Sequence, residues 1–287
     1  MKLEGRRTSE NVDDRRGMSA GKVGGLGIGG LIIVGLLTWI MGGNPLDVIS
    51  QSGGFPQIIG ADGGEYTPTA EEEELAQFAS QILAGTEDVW TEQFRAMGKQ
   101  YVAPKLVLFK SAITSGCGNA SSQTGPFYCS ADQCVYIDLD FFTNMRRDIG
   151  ADGDFAYAYV IAHEIGHHVQ YLLGTLGQAH QKMARVSQIE SNQISVRIEL
   201  QADYYAGVWA YHDNRKFGSL EDGDLEEALN AAKKIGDDYL QKKARGYSVP
   251  ESFNHGTSEQ RHRWLKKGLT TGRISGGDTF SIAYSDL

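Results

Sequence analysis

Residues 163–167 read His-Glu-Ile-Gly-His, which sets two imidazoles four positions apart. On a helix, side chains four apart leave the same face one turn above the other. Two imidazoles so placed can both reach one Zn²⁺ at ~2.0–2.1 Å. Glu164 then lies beside the pair, where it can accept a proton from water activated by the metal. His168 is rotated off this face and reads as a packing or hydrogen-bonding residue. Five residues with three fixed positions also arise by accident, so the test of the pattern is a third protein ligand elsewhere in the chain.

A metzincin continuation would need glycine at 170 and histidine at 173, where the sequence has Gln170 and Leu173. The stretch "SVRIELQADYYAGVWA", residues 195–210, is the better source. Read as a helix, it aligns Val196, Glu199, Asp203, Ala206 and Ala210 in one stripe beside the apolar stripe Ile198, Ala202, Tyr205, Trp209. Two carboxylates on a mostly enclosed surface are costly without partners. A cation and a ligating imidazole supply them. Glu199 becomes the third ligand, and Asp203 accepts the second N–H of a ligating histidine and fixes its tautomer. The competing reading is a solvated face satisfied by ordinary ion pairs. His180 and Glu190 also lie downstream, in less enclosed surroundings. Near the end, "SFNHGTSEQRHRW" offers His255, on a loop ahead of a helix beginning at Thr257 or Ser258, as an oxyanion or substrate donor. Arg261 reads as a structural ion pair.

The elements that must position these groups follow from pattern. A helix over 155–173 opens after Asp154, closes at Gly174 and is apolar on every side in its first half. A helix capped by Thr67 or Thr69, with Glu71 to Glu74 in its first turn, runs to about Ala84 and breaks at Gly85 before a second helical stretch. "KLVLFK" and "CVYIDLDFF" read as strands, the latter either central or an edge lining a peptide cleft. Residues 219–246 read as one charged amphipathic helix with Leu225, Leu229, Ala232, Ile235 and Tyr239 inward.

The chain's 287 residues, 41% apolar, suffice for one catalytic-sized domain and an appendage. A net charge of −9 argues against nucleic acid as a partner. Residues 1–22 show no apolar period and read as a polar arm without structure of its own. Residues 23–41 hold no charge, and as a helix they span roughly 28 Å, close to a bilayer's hydrocarbon core. Glycines there disfavour a soluble core helix, and no cleavage site of a leader peptide follows. With Arg6, Arg7, Arg15, Arg16 and Lys22 ahead of this run, the expected topology is a single pass with the N-terminus cytoplasmic. Gly25 and Gly29 fit a helix-pairing face through which a homo-oligomer could form. Residues 42–67 read as a Gly/Pro/Ser-rich tether, and 68–287 as the catalytic domain.

HExxH followed by ExxxD is the pattern of the gluzincin branch of zinc peptidases. The stretches "KLEGRRTSENVDDRRG", "GPFYCSADQCVYIDLDFF", "HEIGHHVQ", "ELQADYYAG" and "HGTSEQRHRW" resemble the bacterial neutral zinc metallopeptidase family across nearly the whole chain. That resemblance implies an α+β, helix-rich zincin-like domain with a small sheet, preceded by one transmembrane helix. It implies Zn²⁺ as cofactor, a protein or peptide substrate, and a place on the bacterial inner membrane with the catalytic domain periplasmic. It also implies a Cys117–Cys129 pair, Cys134 being a departure; by the residues alone, Cys134 could take the place of Cys129. The expected function is peptide-bond hydrolysis, with His163, His167 and Glu199 as ligands and Glu164 as general base. A tethered binding or scaffold protein with structural or silent zinc is the alternative.

Overall fold

The computed structural model describes residues 1–17 and 66–287. The apolar run 23–41, its Gly25–Gly29 face and the tether up to residue 65 lie outside the described residues. Among the described residues no helix is long and apolar enough to cross a membrane.

A four-stranded sheet carries β1 (Val12–Asp14), β2 (Lys105–Phe109), β6 (Cys134–Asp138) and β5 (Phe127–Cys129) in the spatial order β1-β2-β6-β5. The first three run parallel, and β5 closes the far edge antiparallel to β6. A separate hairpin joins β3 (Ala112–Ser115) to β4 (Gly118–Ser121). Alternation along the strands divides their side chains between two cores. Leu106, Leu108, Val135 and Ile137 enter the main core. Val107, Phe109, Cys134 and Tyr136 meet Cys129, Cys117 and Ile113 in a smaller one behind the sheet. There Cys117 and Cys129 form a disulfide and Cys134 stays a buried free thiol. Because β6 is covered on both faces and paired on both sides, it is central; the sheet's two edge strands are β1 and, next to β6, β5.

Helices build the rest: α1 (Ala70–Ala96), the short α2 (Asp140–Asn144), α3 (Asp154–Leu173), α4 (Thr175–Met183), α5 (Gln188–Phe217), α6 (Asp224–Lys234), α7 (Asp237–Arg245) and α8 (Ser258–Thr271). Capping boxes open α1 at Thr69/Glu72, α5 at Ser187/Glu190 and α8 at Thr257/Gln260, satisfying first-turn N–H groups. Left-handed glycines close α3 at Gly174, α5 at Gly218 and α8 at Gly272. The result is a helix-rich α+β fold with a small sheet.

Three expectations are corrected. Gly85 does not break α1, which runs through it; a Cβ there would lie 2.7 Å from Arg6 Nη2 and 2.9 Å from Asp213 Oδ1, so glycine makes room for that ion pair. Residues 219–246 form two helices, because Gly236 meets the backbone of Ser258 too closely for any side chain. Leu225 is 40% exposed, and Asp224 turns inward in its place.

The third correction concerns the arm. Residues 1–17 have fixed structure: β1 pairs with β2 in the register Val12↔Leu106, Asp13↔Val107, Asp14↔Leu108. A strand fixed by backbone hydrogen bonds and ion pairs needs no apolar period, which is why composition alone read it as solvated.

Candidate metal centre

Two helices bring the site together. Every residue of α3 from Tyr159 to Gly166 is buried, with its apolar side chains in the main core, and this fixes the rotation that aims His163 and His167 at α5. The helices cross closely at Gly166, where a Cβ would sit 2.9 Å from the carbonyl oxygen of Ala202 and 3.0 Å from its Cα. On its other side α5 touches α8 backbone to backbone, since a Cβ on Gly268 would come within 3.0 Å of Gly207 Cα. Glu199 and Asp203 therefore hang from a helix held at two glycine crossings. We predict that Gly166→Ala, by overpacking the first crossing, costs about 1–3 kcal/mol of stability. Zinc affinity should fall with it, as read by denaturant unfolding and metal titration.

His163, His167 and Glu199 each offer a donor atom, and the three atoms lie within 4.8 Å of one another. His163 Nε2 is 3.1 Å from Glu199 Oε2, and His167 Nε2 is 3.5 Å from Glu199 Oε1. Each imidazole is fixed through its other nitrogen. His163 Nδ1 donates to Asp203 Oδ1 at 2.8 Å, and His167 Nδ1 donates to Gln170 Oε1 at 2.9 Å. The amide of Gln170 is itself oriented, because its Nε2 donates to Ile198 O at 2.7 Å and Gln201 Oε1 at 3.1 Å. With Nδ1 of each ring holding its proton for these partners, Nε2 is the nitrogen left to ligate a cation, the tautomer a metal requires.

The electrostatics call for a cation at this point. Burial opposes charge on His163, yet the facing Asp203 and Glu199 outweigh it and lift its pKa to about 10. Burial pushes Glu199 upward, but His167, His163 and His255 prevail and hold it below the usual carboxylate range. Two imidazole nitrogens and one carboxylate, with no fourth His, Cys, Asp or Glu in the cluster among the described residues, fit the three-ligand set of a catalytic Zn²⁺ with a position left for water or substrate. Glu164, 8% exposed, is the neighbour of His163 on α3.

Asp203 is fully buried and satisfied four ways. It accepts from His163 Nδ1, from Tyr159 OH at 2.6 Å, and from Arg261 through Nε and Nη2, both at 2.9 Å. The ion pair expected of Arg261 is this one. Tyr159 and Gln170 were not read as site residues in the sequence, although their spacing was available: Tyr159 is one turn before His163, and Gln170 is three residues after His167.

His255 stands on the loop ahead of α8. Asp237 Oδ2 accepts the backbone N–H groups of Asn254, His255 and Gly256 at 2.8, 2.7 and 2.9 Å, and Oδ1 lies 3.2 Å from His255 Nδ1. Burial lowers the His255 pKa, but Asp237 and then Glu199 reverse the shift and raise it. Asp237, the first residue of α7, is the anchor that sequence reasoning missed. His168 faces away: its Nε2 donates to Val102 O at 2.7 Å and its Nδ1 accepts from Tyr128 OH at 2.9 Å. Burial pushes its pKa down to about 4, keeping it neutral. Glu190 is exposed in the α5 capping box, and His180 is outside the three-donor cluster.

A helix-borne pair of histidines with an adjacent glutamate and a distant carboxylate is the donor set of zinc hydrolases. Residues 1–280 match the family described as "Putative neutral zinc metallopeptidase", and the chain belongs to that family. It is 48% identical over 287 residues to Uncharacterized protein YpfJ of Escherichia coli (strain K12), covering 98% of this chain and 99% of the relative. It is 43% identical over 193 residues to Uncharacterized protein Mb2605 of Mycobacterium bovis and Uncharacterized protein Rv2575 of Mycobacterium tuberculosis, covering 64% of this chain and 64% of each relative. No solved structure matches the chain. Family membership makes the protein a hydrolase of the zinc peptidase class, with Zn²⁺ as its metal and proteins or peptides as its substrates.

Proposed function

We propose that the protein is a zinc-dependent endopeptidase of zincin-like architecture, attached to the bacterial inner membrane through residues 23–41, its catalytic body outside the cytoplasm. The observation that carries the catalytic reading is the convergence of His163, His167 and Glu199 on one point, with Glu164 next in sequence to the first of them. Zinc held there supplies Lewis acidity toward the scissile carbonyl and the attacking water. Glu164 takes the proton of that water and delivers it to the leaving nitrogen. His255, kept in place by Asp237, donates to the developing oxyanion. Asp203 and Gln170 hold the two imidazoles in the ligating tautomer.

An extended substrate pairs by its backbone with the free edge of β5, which makes recognition largely independent of side chains. The hydroxyl of Tyr128 on β5 reaches His168 on α3, so this edge is tied to the helix that carries the ligands. The Cys117–Cys129 bridge supports an oxidising compartment for the body.

The test uses the purified full chain. Zinc measured by mass spectrometry should be about one per chain, a chelator should abolish cleavage of an unfolded protein, and added Zn²⁺ should restore it. Bound zinc without any cleavage would instead indicate a silent, tethered binding protein.

A further inference from the structure

The arm is built into the body, and this bears on how the chain can meet a membrane. Leu106 N–H donates to Asn11 O at 2.9 Å and Arg15 N–H to Leu108 O at 2.8 Å, so β1 is stitched to β2 from both ends. Ser9 and Asn11 both donate to Glu87 of α1. The arginines ahead of the apolar run are committed rather than free to interact with lipid headgroups. Arg6 pairs with Asp213 at 2.7 Å, the carboxylate being 1% exposed, and its guanidinium also lies 3.8 Å from the centre of the Phe217 ring. Arg7 pairs with Asp88 and Glu87 at 2.6 and 3.0 Å. Arg16, 3% exposed, pairs with Asp14 and Glu73 at 2.6 and 2.8 Å. Arg15 is held by Asp13. The charges that would orient a single-pass segment by the positive-inside rule are thus largely neutralised by the fold itself. The two ends of the intervening chain meet as well, since a Cβ on Gly17 would touch the ring of Tyr66 at 3.5 Å.

We infer that residues 1–17 and the body of residues 66–287 stand on the same side of whatever membrane the apolar run 23–41 engages. This replaces the expected division into a cytoplasmic arm and a periplasmic body. A crossing would separate β1 from β2, strip Asp213 and Glu87 of their arginine partners, and leave Asp213 with only the hydroxyl of Ser219 to neutralise a buried carboxylate. It rests on the membrane attachment proposed above only for there being two sides to compare.

The experiment uses the full chain with Cys134→Ser, to which Glu10→Cys on the arm or Lys242→Cys on α7 is added; both positions are exposed. A membrane-impermeant maleimide is applied to intact spheroplasts and, separately, after lysis. The expected result is one pattern for both cysteines, reactive before lysis. One cysteine reactive before lysis and the other only after it would overturn the inference. Both reactive only after lysis would keep the shared side and overturn the extracytoplasmic placement instead. Recovery of the chain in the soluble fraction would refute membrane attachment, an outcome read separately from the labelling.

Discussion

Glu164→Gln is expected to keep its zinc and lose cleavage by about 10²–10⁴-fold, the usual worth of a positioned general base. The amide has the volume of the carboxylate and cannot take a proton from water. The residues that hold the metal are fixed by groups other than Glu164: Asp203 for His163, Gln170 for His167, and the helix crossing at Gly166 for Glu199. Zinc content should therefore be unchanged, which separates a chemical defect from a structural one. Equal turnover of an unfolded protein by variant and wild type, at equal zinc occupancy, would remove Glu164 from the mechanism. A scaffold with structural zinc would show no difference because neither form would cleave.

The second large effect falls on Asp203→Ala. Asp203 is fully buried, and its loss leaves the guanidinium of Arg261, itself 3% exposed, without its bidentate partner. An uncompensated buried charge costs about 3–5 kcal/mol, far more than deleting an exposed pair. The substitution also frees Nδ1 of His163 and the hydroxyl of Tyr159. Removing such an outer partner weakens metal binding by roughly 10–100-fold. Urea unfolding in the presence of chelator reads the first quantity and a zinc titration the second. A loss under about 1 kcal/mol would mean the network relaxes around the gap, contrary to the close helix contacts that surround it.

Much of the site could be read from the sequence because helical spacing alone determines it. The end of α3 follows from Gly174, whereas Asp154, read as its cap, is its first residue behind Gly153 and binds the N-terminus of Met1 instead; the Glu199–Asp203 stripe follows from steps of three and four. Both central strands were visible as apolar runs. What was missed shares one cause: the deciding contact comes from far away in sequence. Gly85 has the local signature of a helix breaker, and only the distant Arg6–Asp213 pair explains why α1 continues through it. Gly236 and Ser258, brought together by tertiary packing, split a stretch whose periodicity is continuous. The cysteine pairing was open on paper because spacing alone lets either Cys129 or Cys134 partner Cys117; the fold sets Cys129 opposite Cys134 across β5 and β6, and the bond joins Cys129 to Cys117, twelve residues earlier. The arm, polar and without a period, carries its information in backbone pairing and charge complementarity, neither of which has a one-dimensional signature.

The glycine crossings on both sides of α5 have a consequence for metal choice. Where main chain rests on main chain, no side chain is available to yield, so the triangle formed by two ring nitrogens and a carboxylate has little freedom to expand or shrink. A stiff triangle sorts ions by radius and ligand preference: larger, oxygen-seeking Ca²⁺ should be rejected, and Co²⁺, close to zinc in size and in its taste for nitrogen, should be the substitute the apoprotein accepts most readily.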